Sequence, residues 1–142
     1  MIRVVFSTRK GPFSLIIRAM TFSRWSHVCL LNEETGEVCE AIYPRVRVIR
    51  FADWLNEQKR MEIGPAVNRA AWNFATGRAG QRYDVLALFG LAFRKYWNSP
   101  GKWFCSELVA ASLSTKRRIF RDDVSRITPE MLYRLHPEIY GE

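Results

Sequence analysis

The chain carries little from which a metal centre or a disulfide scaffold could be built. It has two histidines, His27 and His136, and three cysteines, Cys29, Cys39 and Cys105, none of them in CxxC spacing. An odd, unclustered cysteine set argues against a disulfide framework and against a zinc site, so no metal and no cofactor is expected. Reduced thiols fit a cytoplasmic setting. Also missing is any apolar run near the roughly 18–20 residues that a membrane-spanning helix needs. The N-terminal Met1-Ile2-Arg3-Val4-Val5-Phe6-Ser7 reads as a strand, not as a signal peptide. Its apolar run is short, and Arg9-Lys10 follow it instead of preceding it. With no repeat, low-complexity tract or linker, residues 1–142 read as a single domain.

What is abundant is positive charge and aromatic surface. Lys and Arg number 22 against 14 Asp and Glu, a net charge of +8, which favours an anionic partner or surface. Nucleic acid ranks low, because the basic residues form no aromatic-interleaved patch or recognised motif. The one cluster, Lys116-Arg117-Arg118 with Arg121, reads as a solvated helix end. Aromatic residues make up 13% of the chain, enough to line a core or cleft.

The apolar pattern predicts an α+β domain. Residues 2–6 read as a strand and 8–12 as a turn; 13–22 carry apolar residues at helical spacing. Residues 25–31 and 38–43 form a hairpin signal around the loop Glu33-Glu34-Thr35-Gly36. Residues 46–51 alternate apolar and basic, as a strand with a solvated face does, and 51–55 read as a turn or short helix. Met61 to Ile63 is a further short strand. Pro65 is placed at the first position of a helix ending at Gly77. Tyr83-Asp84 opens another helical run over 85–93, and Thr128-Pro129-Glu130 caps a last one over 131–135.

Chemistry concentrates at Lys102-Trp103-Phe104-Cys105-Ser106-Glu107-Leu108-Val109. Pro100-Gly101 is a turn signal and the residues after Cys105 are helix formers, so Cys105 falls in the first turn of a helix. The positive end of a helix favours a thiolate, the nucleophilic form of cysteine. Taken alone, Cys105 reads more simply as a small buried residue. The hairpin changes that balance. With Asn32 opposite Glu37, Leu31 faces Val38, Cys29 faces Glu40 and His27 faces Ile42. His27 and Glu40 then share a face as diagonal neighbours. A carboxylate in an apolar strand needs a partner, and His27 is the nearest one. Glu40 can hold one imidazole nitrogen at about 2.6–3.2 Å while the other takes a proton from a thiol. The same register points Cys29 and Cys39 to opposite faces. Tyr83 beside Asp84 reads first as helix-start chemistry and second as a cleft residue.

Four stretches in this order resemble the circularly permuted papain-like amidases, the permuted NlpC-type cysteine hydrolases and their YiiX-like branch. They are Phe22-Ser23-Arg24-Trp25-Ser26-His27-Val28, Cys39-Glu40-Ala41, Gly80-Gln81-Arg82-Tyr83-Asp84 and Trp103-Phe104-Cys105-Ser106-Glu107-Leu108-Val109. The resemblance implies a permuted papain-like α+β fold, an antiparallel sheet packed against helices. It implies Cys105 as nucleophile, His27 as base and Glu40 as orienter, with Tyr83, Trp103 and Ser106 in the cleft or oxyanion region. The expected activity is cleavage of an amide or ester in a peptide, amide or acyl substrate, through a thioester. Acyl transfer by the same triad, and a non-catalytic binding module on the same fold, are the rival expectations. The chain departs from the family's envelope-associated members in having no recognisable export signal, which fits a cytoplasmic protein or one of viral or prophage origin.

Overall fold

The computed structural model describes residues 1–11, 25–42, 45–83, 102–103, 105–113 and 132–133, with the backbone alone described at 83, 102, 103, 106 and 107. Its elements are β1 (Ile2–Arg9), β2 (His27–Asn32), β3 (Glu37–Ile42), β4 (Arg45–Arg50), α1 (Phe51–Leu55), β5 (Gln58–Val67), α2 (Arg69–Thr76), β6 (Arg82–Tyr83), β7 (Lys102–Trp103) and α3 (Cys105–Leu113). The strands form one sheet in the order β5-β1-β2-β3-β4-β6-β7. The first five are antiparallel neighbours, and β6 pairs antiparallel with β4 and parallel with β7. The protein is α+β.

The β2–β3 hairpin sets the register on which the site depends. Asn32 Oδ1 accepts hydrogen bonds from the backbone N–H groups of Glu34 and Thr35, and the Gly36 N–H closes the loop onto Asn32 O at 2.8 Å. Gly36 sits at φ 71°, in the left-handed region that glycine enters without steric cost. The pairs that follow are Asn32 with Glu37, Leu31 with Val38 and Leu30 with Cys39. This is the register expected from the sequence, but the ladder ends at Leu30 and Cys39. Beyond it β2 stays paired with β1 as far as Ser7 opposite His27, and β3 stays paired with β4 as far as Ile42 opposite Arg45.

Both faces of the sheet are covered. Val4, Phe6, Val28, Leu30, Cys39, Ala41 and Val46 pack with Ala71, Trp72 and Ala75 of α2 and with Leu108, Val109, Ala110 and Leu113 of α3. On the other face Val5, Cys29, Leu31 and Val38 pack with Trp54 of α1. Full burial of the Val, Leu and Phe side chains among these stabilises by roughly 1.5–3 kcal/mol each. Cys29 and Cys39 belong to different faces, as the register requires.

Several boundaries differ from those read in the sequence. Thr8 and Arg9 continue β1 instead of starting a turn, because both pair with β5. Pro65 does not open a helix. It lies in β5, an edge strand, where a missing N–H leaves no ladder bond unmade. The helix begins at Arg69 because Asn68 is its N-cap, accepting from the Ala71 N–H. Tyr83 is strand backbone. The helices expected over 13–22 and 85–93, Asp84, the basic cluster at 116–121 and His136 lie outside the described residues. Of the last expected helix only Leu132 and Tyr133 are described, and both are helical.

Candidate active site

Cys105 is the first residue of α3, so its thiol stands at the helix start. The helix is held against β2 and β3 by its buried Leu108 and Val109. The thiol lies within electrostatic reach of His27 and acts to raise the pKa of its imidazole. His27 in turn approaches Glu40 Oε1 through Nε2 at 2.6 Å. An ionised carboxylate has only acceptors, so Nε2 carries the donated proton and Nδ1 is the ring nitrogen left for the thiol. Residues that the sequence separates by as much as 78 positions are therefore gathered at one place, with Glu40 bonded to His27 and Cys105 acting on it electrostatically.

The end of the β2–β3 ladder explains how this happens. By strand alternation His27 and Glu40 belong to the face that carries Val38 and Trp54, whereas Cys105 belongs to the cluster on the α3 face. A residue inside a fully paired sheet cannot touch groups on both faces. His27 is the first residue of β2 and lies beyond the last β2–β3 pair, which lets its ring bond Glu40 while staying within electrostatic reach of Cys105.

Glu40 is wholly buried and fully used. Besides His27, its Oε1 accepts from Trp54 Nε1 at 2.9 Å and from Arg9 Nη1 at 3.3 Å. Its Oε2 accepts from Arg47 Nε at 2.8 Å and pairs with Arg47 Nη2 at 2.7 Å. Trp54 is fixed for this contact by stacking on Phe51, ring centroids 5.7 Å apart. Both arginines also reach Glu57 Oε2, Arg9 through Nη2 at 2.7 Å and Arg47 through its own Nη2. Arg9, Glu40, Arg47 and Glu57 thus close a ring of alternating charge.

The electrostatics follow from burial opposed by partners. For Glu40 burial is the largest single influence and acts to raise the pKa, but His27, Arg9 and Arg47 together outweigh it and bring the carboxyl down to about 2. For His27 burial is again the largest influence and acts to lower the pKa, yet the hydrogen bonds and charges of Cys105 and Glu40 carry it up to about 9. The other two cysteines go the other way from a reactive thiol. Burial pushes Cys39 up to about 12 and Cys29 well above the usual thiol range. All three cysteines are at most 1% exposed, so what distinguishes Cys105 is the imidazole beside it.

Of the three residues read as a triad in the sequence, His27 and Glu40 are hydrogen-bonded and Cys105 lies within electrostatic reach of His27. Of the three cleft candidates, the backbones of Tyr83 and Trp103 pair side by side in β6 and β7, two residues ahead of Cys105. Their side chains, and that of Ser106, lie outside the described residues. The sequence reading missed Arg9, Arg47, Trp54 and Glu57. Arg47 was legible: with Tyr43-Pro44 as a two-residue hairpin loop, Glu40 falls opposite Arg47, as it does here. The face read as solvated is at that position an ion pair. Nothing local marks Arg9 or Glu57, which arrive through β1 and the turn after α1. Among the described residues no cluster of His, Cys, Asp and Glu is arranged to hold a metal ion, and no helix is long and apolar enough to cross a membrane.

In comparisons with known proteins, no family model matches the chain and no curated protein matches it.

Proposed function

We propose that the protein is a cysteine hydrolase of the circularly permuted papain-like type, with Cys105 as nucleophile, His27 as acid and base, and Glu40 as the group that orients His27. The observation that carries the proposal is a helix-start Cys105 within electrostatic reach of an imidazole that is bound through Nε2 to a buried carboxylate. A cysteine kept only for packing has no use for that arrangement.

In the proposed reaction the proton shared by Cys105 and His27 already rests on the imidazole, and the sulfur attacks the acyl carbon of an amide or ester. The carbonyl π electrons move to oxygen, next to the backbone N–H of Cys105 at the start of α3. The tetrahedral species collapses to a thioester, and the leaving nitrogen or oxygen takes the proton from the His27 imidazolium. Water then gives a proton to His27 and attacks the thioester, releasing the acid and restoring Cys105. Glu40 keeps the ring in one tautomer and stabilises the imidazolium throughout, as the acidic member of a triad does. The substrate class is a peptide, amide or acyl compound, and the reduced thiols fit a cytoplasmic setting.

An activated acyl ester tests this. Intact-mass and peptide mapping should find a hydroxylamine-labile acyl adduct on Cys105 that decays in water, with none in Cys105→Ser. Adduct decay only when an amine is added would make the protein an acyltransferase. No adduct, together with binding of an anionic partner that survives Cys105→Ser, would make it a binding module.

A further inference from the structure

We propose that Glu57, acting through Arg9 and Arg47, is a positioning residue of the same site: the closed Arg9–Glu40–Arg47–Glu57 ring fixes the Glu40 carboxylate against His27 and sets the net charge that the imidazole faces. This rests on the catalytic reading for its use but not for its geometry.

Glu57 touches neither His27 nor Cys105 in any contact described. Its Oε2 is shared by Arg9 Nη2 and Arg47 Nη2, and those two guanidiniums hold opposite oxygens of Glu40. Each arginine therefore spans the two carboxylates, and neither can swing away from Glu40 without leaving Glu57. A guanidinium fork suits such bridging, because its donors are fixed in one plane. The Glu40 oxygens are held from three elements, β1, β4 and α1, before His27 is counted.

The ring is also neutral, with two guanidiniums against two carboxylates. Among the described residues, the titratable and charged groups of His27 and the ring are Cys105 from α3, Glu40 from β3, Arg9 from β1, Arg47 from β4, Glu57 after α1, and the buried thiols Cys29 and Cys39. Removing Glu57 leaves one net positive charge facing the imidazolium, and removing one arginine leaves one net negative charge. Charge at this range acts on a buried group with little screening from salt. Glu57 is the exposed end of the ring, with 39% of its side chain accessible against 0% for Glu40. It can therefore be changed with little effect on packing.

The test is the His27 titration, followed by NMR of the imidazole in the full chain, which needs no substrate. Glu57→Gln should lower the His27 pKa and Arg47→Gln should raise it, each by roughly half a unit or more. Glu57→Asp should restore the wild-type value. Where Arg47→Gln does not fold, Arg9→Gln removes the same charge from the longer contact and should shift His27 in the same direction. Shifts of the same sign in both variants, or no shift in Glu57→Gln, would overturn the proposal. Opposite shifts in a protein that forms no acyl adduct would uphold the ring and remove the hydrolase.

Discussion

His27 Nε2 lies 2.6 Å from Glu40 Oε1, yet the two residues are not a cross-strand pair. They are diagonal neighbours beyond the last paired residues of β2 and β3, where the strands no longer hydrogen-bond to each other. A ladder that continued to Ile42 would hold the imidazole on one face of the sheet. Because it stops, the ring can bond a carboxylate and still lie within electrostatic reach of a helix-start thiol.

The first consequence is that His27 stays protonated through neutral pH. Its imidazole should titrate near 9 instead of 6.5, since Cys105 and Glu40 both favour the charged ring. Cys105→Ala removes one of those two partners, so His27 should titrate at lower pH in that variant. An NMR titration of the ring nitrogens checks both points. An unchanged His27 in Cys105→Ala would show that the thiol does not share the imidazole's proton.

Stability should follow the same two groups. Glu40 falls from 4.5 to about 2 on folding, so its contribution is complete above about 4.5 and is lost as pH drops through 2. His27 rises from 6.5 to about 9, so its contribution is complete below 6.5 and is lost as pH climbs through 9. Their joint contribution is greatest between about 4.5 and 6.5. Thermal melts across pH 2 to 10 should show that maximum. Glu40→Gln leaves two guanidiniums without their buried partner, and should cost roughly 3–5 kcal/mol in denaturant melts. A Glu40→Gln protein as stable as wild type would mean that the ring contributes nothing to the fold.

Gly64 offers a check on the β1–β5 packing behind the site. A Cβ there would lie 2.9 Å from Val4 O and 3.0 Å from the Phe6 ring. The backbone carbonyl cannot yield as a flexible side chain would. Gly64→Ala should therefore destabilise by about 1–3 kcal/mol, read as a lower denaturation midpoint with an unchanged slope. A neutral Gly64→Ala would show that β5 can move away from β1 at no cost.

What could be read in the sequence, and what could not, divides by range. The β2–β3 register was legible, because Asn32 to Gly36 is a local turn and a one-residue slip would put Glu40 on the wrong face. The start of α3 was legible from the turn signal in the residue types Pro100-Gly101 and the helix formers after Cys105. Pro65 misled because a proline at a helix start and a proline on an edge strand look alike until the sheet order is known. The ring around Glu40 was hidden for a different reason. Arg9 and Glu57 lie 31 and 17 positions from Glu40 respectively, and only tertiary pairing of β1 with its neighbours brings them in. The early end of the β2–β3 ladder was also invisible, since nothing in Val28, Cys29, Ala41 or Ile42 forbids pairing.

The most direct test of Cys105 as nucleophile is the rate at which iodoacetamide alkylates each cysteine of the native protein near pH 7, read by mass mapping. Cys29, Cys39 and Cys105 are equally buried, so exposure does not bias the comparison. If the imidazole makes Cys105 a thiolate, it should react on the order of tenfold faster than either of the others, and His27→Ala should remove that advantage. Equal rates at all three cysteines, or a fast Cys105 indifferent to His27→Ala, would contradict it.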